Sequence, residues 1–246
     1  MSATTIEGRA AWEQWRHSRF DHVTAPDGIA AATSTTWLTS GNALAIPGLP
    51  GEWIDRDGTA VRIDTDPQIE LTPGTELTIG TLVVRTLVRD GLIALRVFDP
   101  EAPSRVLLAG IDAFDYDPAW VITGQFRAVT ESIAINRADG AVTRDRLAGL
   151  VQATVDGHQV QLVALPLPGD HALIPFADTT NASLTQQFRF LEIDITEESG
   201  AVELDFNRAH LPPCAFADHY LCPLPPPENR LPVDIRAGET RRVLVQ

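Results

Sequence analysis

The sequence predicts a mainly β fold, an antiparallel barrel or sandwich with an N-terminal amphipathic helix and a proline-rich strap towards the C-terminus. After Pro26, short runs of alternating apolar and polar residues are separated by Asp-Gly pairs, as at residues 90–91 and 156–157. Asp-Gly favours the two-residue turn of a β-hairpin, because both positions of that turn need a positive φ. Beyond the N-terminal segment, no stretch is helical over the length that a parallel crossover requires, which indicates antiparallel pairing.

The N-terminal segment has a helical pattern. Thr4 and Glu7 fit a capping box, and Ala11, Trp12 and Trp15 follow at helical spacing, which predicts an amphipathic helix over residues 5–20. A row of tryptophans on such a helix typically packs against a protein core. We therefore expect residues 1–25 to form a helix packed on a single β-rich domain, residues 26–246.

Three hairpins carry the β prediction. Residues 81–99 and 150–165 are the clearest, since each has two apolar runs around an Asp-Gly turn. The third is expected over residues 185–207, with an acidic turn at 196–200. If this hairpin closes symmetrically, Arg189 lies opposite Asn207, with Asp205 one diagonal step away. A polar row would then cross two adjacent strands, although a solvated sheet face with a surface ion pair has the same pattern.

The composition argues against several classes of function. The chain of 246 residues has a formal net charge of -14, which opposes binding to nucleic acid or to an anionic membrane surface. Lysine is missing from the sequence, so Schiff-base chemistry and a phosphate-loop lysine are excluded. No apolar run has the length of a secretory signal or a membrane span. We expect a cytoplasmic protein, with homo-oligomerisation left open.

The segment FNRAHLPPCAFADHYLCPLPPPENR, residues 206–230, holds both cysteines and two of the six histidines. One alternative is a metal-binding protein, because zinc accepts N and S side chains such as those of His210, Cys214, His219 and Cys222. Their spacing matches no common zinc-finger pattern, and a reducing compartment does not favour a disulfide. The interpretation that we prefer is a proline strap, residues 223–229, with reduced and mostly buried thiols at its entry.

Most of the chain also resembles a known family, and the most specific motifs lie in its C-terminal part. DFNRAHLPPCAFADHYLCPLPPPENRLPVDIRAGE, residues 205–239, is similar to the C-terminal signature of the bacterial family of domain of unknown function 1684. That signature has a D-F-N-R-A run, a P-P-C, a second Cys, C-P-x-P-P-x-E-N and an A-G-E. Upstream, ADTTNASLTQQFRFLEID, residues 177–194, is similar to the D-x-T-S-G-x-x-T-Y-x-x-G-R-F-L segment of the family.

The resemblance implies a set of family positions, but no activity, because the family name records none. Matched motif by motif, these positions are Asp178, Thr185, Arg189, Asp205, Asn207, Arg208, Cys214, Cys222, Glu228, Asn229 and Glu239. His210 and His219 are outside the pattern, which weakens the zinc alternative. Thr180-Asn181 stands where the family has Ser-Gly, and residues 186–188 replace its Tyr and Gly positions. Bulkier side chains therefore fill space in which a glycine would admit a ligand.

Together these patterns predict a small-molecule site on a β scaffold that binds an anionic ligand, a carboxylate or a phosphate. As an enzyme, it would perform acid/base chemistry without a metal or redox cofactor. The catalytic candidates are Asp178 and Asp205 as bases and His219 as a proton donor. The ligand-binding candidates are Thr185, Gln187, Arg189, Asn207, Arg208, Glu228 and Asn229. Two competing interpretations are a non-catalytic binding protein and a structural module held together by buried polar groups.

Overall fold

The computed structural model describes residues 3–245 and confirms a mainly β, antiparallel fold with a helix at the N-terminus. Helix α1 spans Ala3–Thr24, and the predicted cap at Thr4 lies outside the described side chains. Trp12 is buried, and its Nε1 donates a hydrogen bond of 2.9 Å to Asn207 O. This bond joins the helix to the backbone at Asn207. Neither helix among the described residues has the length and apolar character needed to cross a lipid bilayer.

The described chain divides into two compact units. The smaller unit contains residues 20–108, 216–220 and 244–245, and the larger unit contains residues 3–19, 109–215 and 221–243. Each unit thus combines segments that are distant in sequence. The expected single β-rich domain over residues 26–246 stays a prediction.

The smaller unit contains two four-stranded antiparallel sheets. Its strands are β1 (Ala32–Trp37), β2 (Leu44–Ala45), β3 (Glu52–Arg56), β4 (Thr59–Arg62), β5 (Ile69–Leu71), β6 (Glu76–Ile79), β7 (Leu82–Arg89) and β8 (Leu92–Phe98). One sheet has the order β1-β8-β7-β6 and the other the order β2-β3-β4-β5. Their buried side chains form one cluster that includes Trp53 and Leu95. A short helix, α2 (Pro103–Val106), follows β8.

The larger unit is built on a six-stranded antiparallel sheet that forms a half-barrel. The remaining strands are β9 (Leu108–Ala113), β10 (Val121–Ala128), β11 (Ser132–Asn136), β12 (Val142–Arg146), β13 (Gly149–Val155), β14 (His158–Pro166), β15 (His171–Phe176), β16 (Arg189–Asp194), β17 (Ser199–Asp205) and β18 (Glu239–Leu244). The half-barrel has the order β16-β15-β14-β13-β10-β17, while β11 pairs with β12 and β9 with β18. Its core is formed by apolar side chains such as Phe126, Leu162 and Phe206.

Three Asp-Gly pairs form the predicted two-residue hairpin turns, between β3 and β4, β7 and β8, and β13 and β14. In these turns Asp57, Asp90 and Asp156 have φ values of 51°, 51° and 46°, and the glycine that follows each has a φ of 79° or 80°. Positive φ at both positions defines the type I′ turn, whose twist matches that of the flanking strands.

The predicted hairpin over residues 185–207 is wrong. β16 pairs with β15, so that Arg189 lies opposite Phe176, and β17 pairs with β10, so that Asp205 lies opposite Val121. Asn207 lies beyond β17 in a 3₁₀ turn. Alternation of apolar and polar residues indicates which face of a strand is buried, but it does not identify the neighbouring strand. β16 and β17 are consecutive in sequence but stand at opposite ends of the sheet order.

The proline strap leads into a segment that covers the half-barrel. Apart from an isolated bridge between Pro223 and Arg137 and a 3₁₀ turn at Pro227–Asn229, the strap is irregular. Residues 230–238, which we call the closing segment, alternate between exposed and buried side chains up to residue 237. The buried ones join the core of the half-barrel and are Leu231, Val233, Ile235 and Ala237. An extended chain turns every second side chain to the same face, so the closing segment packs on the core although it is not a strand.

Candidate functional site

Arg189, the first residue of β16, is fully buried within the larger unit. Its Nη2 donates to Asp178 Oδ2 at 2.5 Å and to Ile235 O at 2.9 Å, and its Nη1 donates to Ala237 O. We call these four residues the Arg189 network. A guanidinium presents its donors in a rigid planar fork. One side chain therefore binds a loop carboxylate and two carbonyl groups of the closing segment at the same time.

The second oxygen of Asp178 is also occupied. Thr180 donates to Oδ1 from its backbone N, at 2.7 Å, and from its hydroxyl. The Thr180 hydroxyl lies 2.9 Å from Thr185 Oγ1, which also accepts from Asn181 Nδ2 at 2.9 Å. The Thr180-Asn181 pair that replaces Ser-Gly in the family pattern therefore supplies these contacts. Asp178 and Thr185, a predicted base and a predicted ligand residue, are both buried in a closed set of hydrogen bonds.

Burial controls the electrostatics of the Arg189 network. Removal from water lowers the pKa of Arg189, and the adjacent Asp178 carboxylate opposes that effect. Arg189 Nε lacks a hydrogen-bond partner among the described residues. A buried ion pair offsets its lost hydration only when further hydrogen bonds satisfy its other polar atoms, and the carbonyl groups of Ile235 and Ala237 provide them for Nη2 and Nη1. The network thereby fixes the closing segment on the half-barrel.

Glu239, the first residue of β18, is a second buried charge, and the sequence did not place it in the site. Its Oε2 accepts from Leu211 N at 2.7 Å, and its Oε1 lies 3.3 Å from Arg19 Nε. Burial raises the pKa of Glu239, while Arg19 acts in the opposite direction. Arg19 Nη2 also donates to Leu211 O at 2.9 Å. No signal in the sequence pairs Glu239 with a helix residue 220 positions earlier.

Asp205, Asn207 and Arg208 form a separate network at the end of β17. Asp205 Oδ1 accepts from Asn207 N at 3.1 Å and from Asn207 Nδ2 at 2.9 Å, and its Oδ2 lies 3.2 Å from Arg208 Nε. The Asn207 amide also exchanges two hydrogen bonds with the backbone of Asp117, at 2.9 and 3.0 Å. In the part of the chain that the structure describes, no hydrogen bond or ion pair joins this network to the Arg189 network.

Asn229 acts as a substitute strand partner. Its Oδ1 accepts from Val163 N at 2.7 Å, and its Nδ2 donates to Val163 O at 2.9 Å and to Pro175 O at 2.8 Å. Proline has no N–H to donate to a neighbouring strand, so the side chain of Asn229 satisfies Val163 of β14 where β15 carries Pro175. Two further residues that the sequence predicted to bind the ligand, Gln187 and Glu228, are exposed.

The histidines are dispersed. His219 lies in the smaller unit, where its backbone O accepts from Thr35 Oγ1 at 2.7 Å, whereas both candidate bases lie in the larger unit. Burial, reinforced by Arg19, lowers the pKa of His210 to about 3, and its Nε2 lies 3.7 Å from Glu192 Oε1. Within residues 3–245, no group of three or more His, Cys, Asp or Glu side chains is placed to hold a metal ion.

A cavity of about 870 Å³ opens at one end of the half-barrel, and we call it the mouth cavity. At this end β10, β14 and β16 terminate and β13, β15 and β17 begin, so the connecting loops supply much of the wall. Its apolar lining includes Phe126, Val129, Leu147, Ala148, Leu167 and Ile195. None of the site residues predicted from the sequence lines it.

The charged lining of the mouth cavity contains both signs. Its charged or titratable side chains are Arg127, Glu131, Arg146, His171, Glu197 and Glu198. Arg127 and Arg146 are exposed, and neither side chain has a hydrogen-bond or ion-pair partner in the described chain. His171 is occupied, since its Nδ1 lies 2.8 Å from Asp194 Oδ1. The cavity thus offers an apolar wall and two guanidinium groups with unused donors.

Comparison with known proteins identifies a family for the sequence but gives no activity. A family model described as a protein of unknown function (DUF1684) matches residues 107–240. The search of curated proteins found no match. Five chains of solved structures match. One is the solution NMR structure of an uncharacterized protein from Haloarcula marismortui, with 25% sequence identity and a TM-score of 0.46 over 55% of this chain and 76% of that chain.

Proposed function

The chain belongs to the DUF1684 family of proteins of unknown function, and we propose that it is a small-molecule binding protein whose ligand occupies the mouth cavity. The proposed ligand has an apolar body and one anionic group, a carboxylate or a phosphate. The observation that carries the proposal is a cavity whose wall combines apolar side chains with two arginines, Arg127 and Arg146, that have no partners in the described chain. All residues that line the cavity fall within the matched range 107–240.

The size and position of the cavity support this proposal. Ligand sites in proteins are typically concavities of about 300–1,000 Å³, lined by apolar groups with a few polar ones, and the mouths of β-barrels are common places for them. The mouth cavity, at about 870 Å³, is within that range. Phe126 and Leu147 are almost fully buried and present apolar surface to it. An apolar ligand body would gain about 25 cal/mol for each Å² removed from water.

The charges at the rim favour a ligand with a single anionic group. A guanidinium binds a carboxylate or phosphate through two parallel hydrogen bonds, and Arg127 and Arg146 have all their side-chain donors available. Glu131, Glu197 and Glu198 share the rim, and like charges repel at short range. A second anionic group on the ligand would therefore meet these carboxylates.

The predicted catalytic groups support a binding role over an acid/base enzyme. The Asp178 side chain has no exposed area, and both of its oxygens are engaged by Arg189 and Thr180. A general base must reach the proton that it abstracts, directly or through one water molecule. Asp205 is engaged by Asn207 and Arg208. These residues are better explained as supports of the fold than as the reacting groups of an enzyme.

The test is calorimetric titration of the protein with dodecanoate, which combines an apolar chain with one carboxylate. We expect the wild type to bind dodecanoate, and the double variant Arg127→Gln/Arg146→Gln to bind it at least about tenfold more weakly. That factor corresponds to about 1.5 kcal/mol, the lower value for a hydrogen bond to a charged group. Obstructing the apolar wall with Ala148→Trp should weaken binding.

Two controls make the titration specific. Arg144 is exposed and lies on β12, but it does not line the cavity, so Arg144→Gln should bind dodecanoate like the wild type. Dodecanol has the same chain without the charge and should bind the wild type and the double variant equally. Lack of dodecanoate binding to the wild type, or equal binding by the Ala148→Trp variant, would show that the mouth cavity is not the site.

A further inference from the structure

The two cysteines, eight residues apart in sequence, lie close together in the fold. Cys214 N lies 3.3 Å from Cys222 Sγ. Cys214 is in a 3₁₀ turn, Pro213–Ala215, in which Ala215 N donates to Pro212 O at 2.8 Å. The backbone of Cys222 is fixed from the other side, because Ala138 N donates to Cys222 O at 3.0 Å. The fold itself therefore sets their proximity.

We propose that Cys214 and Cys222 form a redox-active pair that closes to an intramolecular disulfide when the protein meets a low-molecular-weight disulfide such as oxidised glutathione. Both residues are thiols in the structure. Since an N–Cα bond is about 1.46 Å, the Cα of Cys214 lies within about 4.8 Å of the Cys222 sulfur. A disulfide requires Cα atoms about 4.4–6.8 Å apart with the side chains directed towards each other, and the contact of Cys214 N with Cys222 Sγ places the two residues in each other's immediate vicinity.

Exposure assigns different roles to the two thiols. Cys214 is half-buried, whereas Cys222 is 4% exposed. Thiol–disulfide exchange requires access of the attacking sulfur to the external disulfide, and the half-buried thiol has that access. Cys214 is therefore the thiol that reacts first, and Cys222 is the thiol that resolves the mixed disulfide.

The exchange has two balanced steps. The Cys214 thiolate attacks one sulfur of oxidised glutathione, the glutathione S–S bond breaks, a bond forms between Cys214 and glutathione, and one glutathione leaves as a thiolate. The Cys222 thiolate then attacks Cys214 Sγ, and the second glutathione leaves. Two electrons pass from the protein to glutathione. The two thiol protons end on the two glutathione molecules that are released.

The test uses the whole folded chain, incubated with oxidised glutathione, then denatured, alkylated and measured by mass spectrometry. We expect the wild type to lose both thiols together, with a mass lower by two hydrogens and a peptide in which residues 214 and 222 are linked. Cys222→Ser should stop as a mixed disulfide with one glutathione on Cys214. Cys214→Ser should stay largely unmodified, because its remaining thiol is buried.

The wild type alone decides the result if a serine variant fails to fold. Accumulation of glutathione on either cysteine of the wild type without a linked peptide would overturn the proposal. Two unreacted thiols at an excess of oxidised glutathione would overturn it as well. A mixed disulfide that forms on Cys222 in preference to Cys214 would reverse the assigned order of reaction.

Discussion

Asp178→Asn should destabilise the larger unit, because it removes the countercharge of a fully buried arginine. Removing one partner of a buried ion pair costs about 3–5 kcal/mol. Asparagine has nearly the shape of aspartate and keeps one oxygen that can accept from Thr180 N, so we expect the lower value, about 3 kcal/mol. Arg189 would keep its bonds to Ile235 O and Ala237 O but lose the charge at 2.5 Å.

Amide hydrogen exchange of the closing segment and β18 measures this effect where it acts. The amides of Leu231 and Glu239 are bonded to Ala177 O and Ala209 O at 2.7 Å, and a loss of about 3 kcal/mol would speed their exchange about 100-fold. The matched control is Asp234→Asn in the same segment. Because Asp234 is half-exposed in its ion pair, this substitution should change the free energy of unfolding by less than about 0.5 kcal/mol. Exchange in Asp178→Asn within twofold of wild type would refute the role assigned to the Arg189 network.

Two further predictions concern residues next to this network. His210 has a pKa lowered from 6.5 to about 3, so the folded state binds fewer protons than the unfolded state, and stability should fall as the pH drops below 6.5. Between about pH 7 and pH 4.5, the free energy of unfolding measured in urea should fall by about 2.5 kcal/mol more for the wild type than for His210→Gln. Equal decreases would contradict the buried neutral histidine. Gly238 has a φ of 77°, and an added Cβ would lie 2.4 Å from Ala209 O. Gly238→Ala should therefore lower the thermal midpoint more than Gly140→Ala does, because a Cβ at residue 140 meets nothing within 4 Å. The expected difference in the free energy of unfolding between the two variants is about 2 kcal/mol. Equal midpoints would mean that the close approach at residue 238 is relieved.

The elements that the sequence predicted well are those determined by neighbouring residues. The helix pattern around Trp12 and the Asp-Gly turns depend on local backbone preferences, and both are present in the structure. The hairpin over residues 185–207 failed because strand partners depend on the whole sheet. An apolar run such as β16 pairs equally well, by its own pattern, with the next strand or the preceding one.

For the functional residues, too, the sequence predicted local motifs but not long-range contacts. The motif that contains Asp178 and Arg189 was visible in the sequence, but its burial was not, because the closing segment that covers it lies about fifty residues later. The mouth cavity had no sequence signal. Its wall comes from loops between strands that are far apart in the chain, and its two arginines, Arg127 and Arg146, belong to no motif.

The most direct test of the proposed function is a crystal structure of the protein grown with dodecanoate. We expect electron density for the alkyl chain against Phe126 and Leu147 in the mouth cavity, with the carboxylate in hydrogen-bond contact with Arg127 or Arg146. Density for dodecanoate beside Arg189 or Asp205, with an empty mouth cavity, would show that the ligand site is not the mouth cavity.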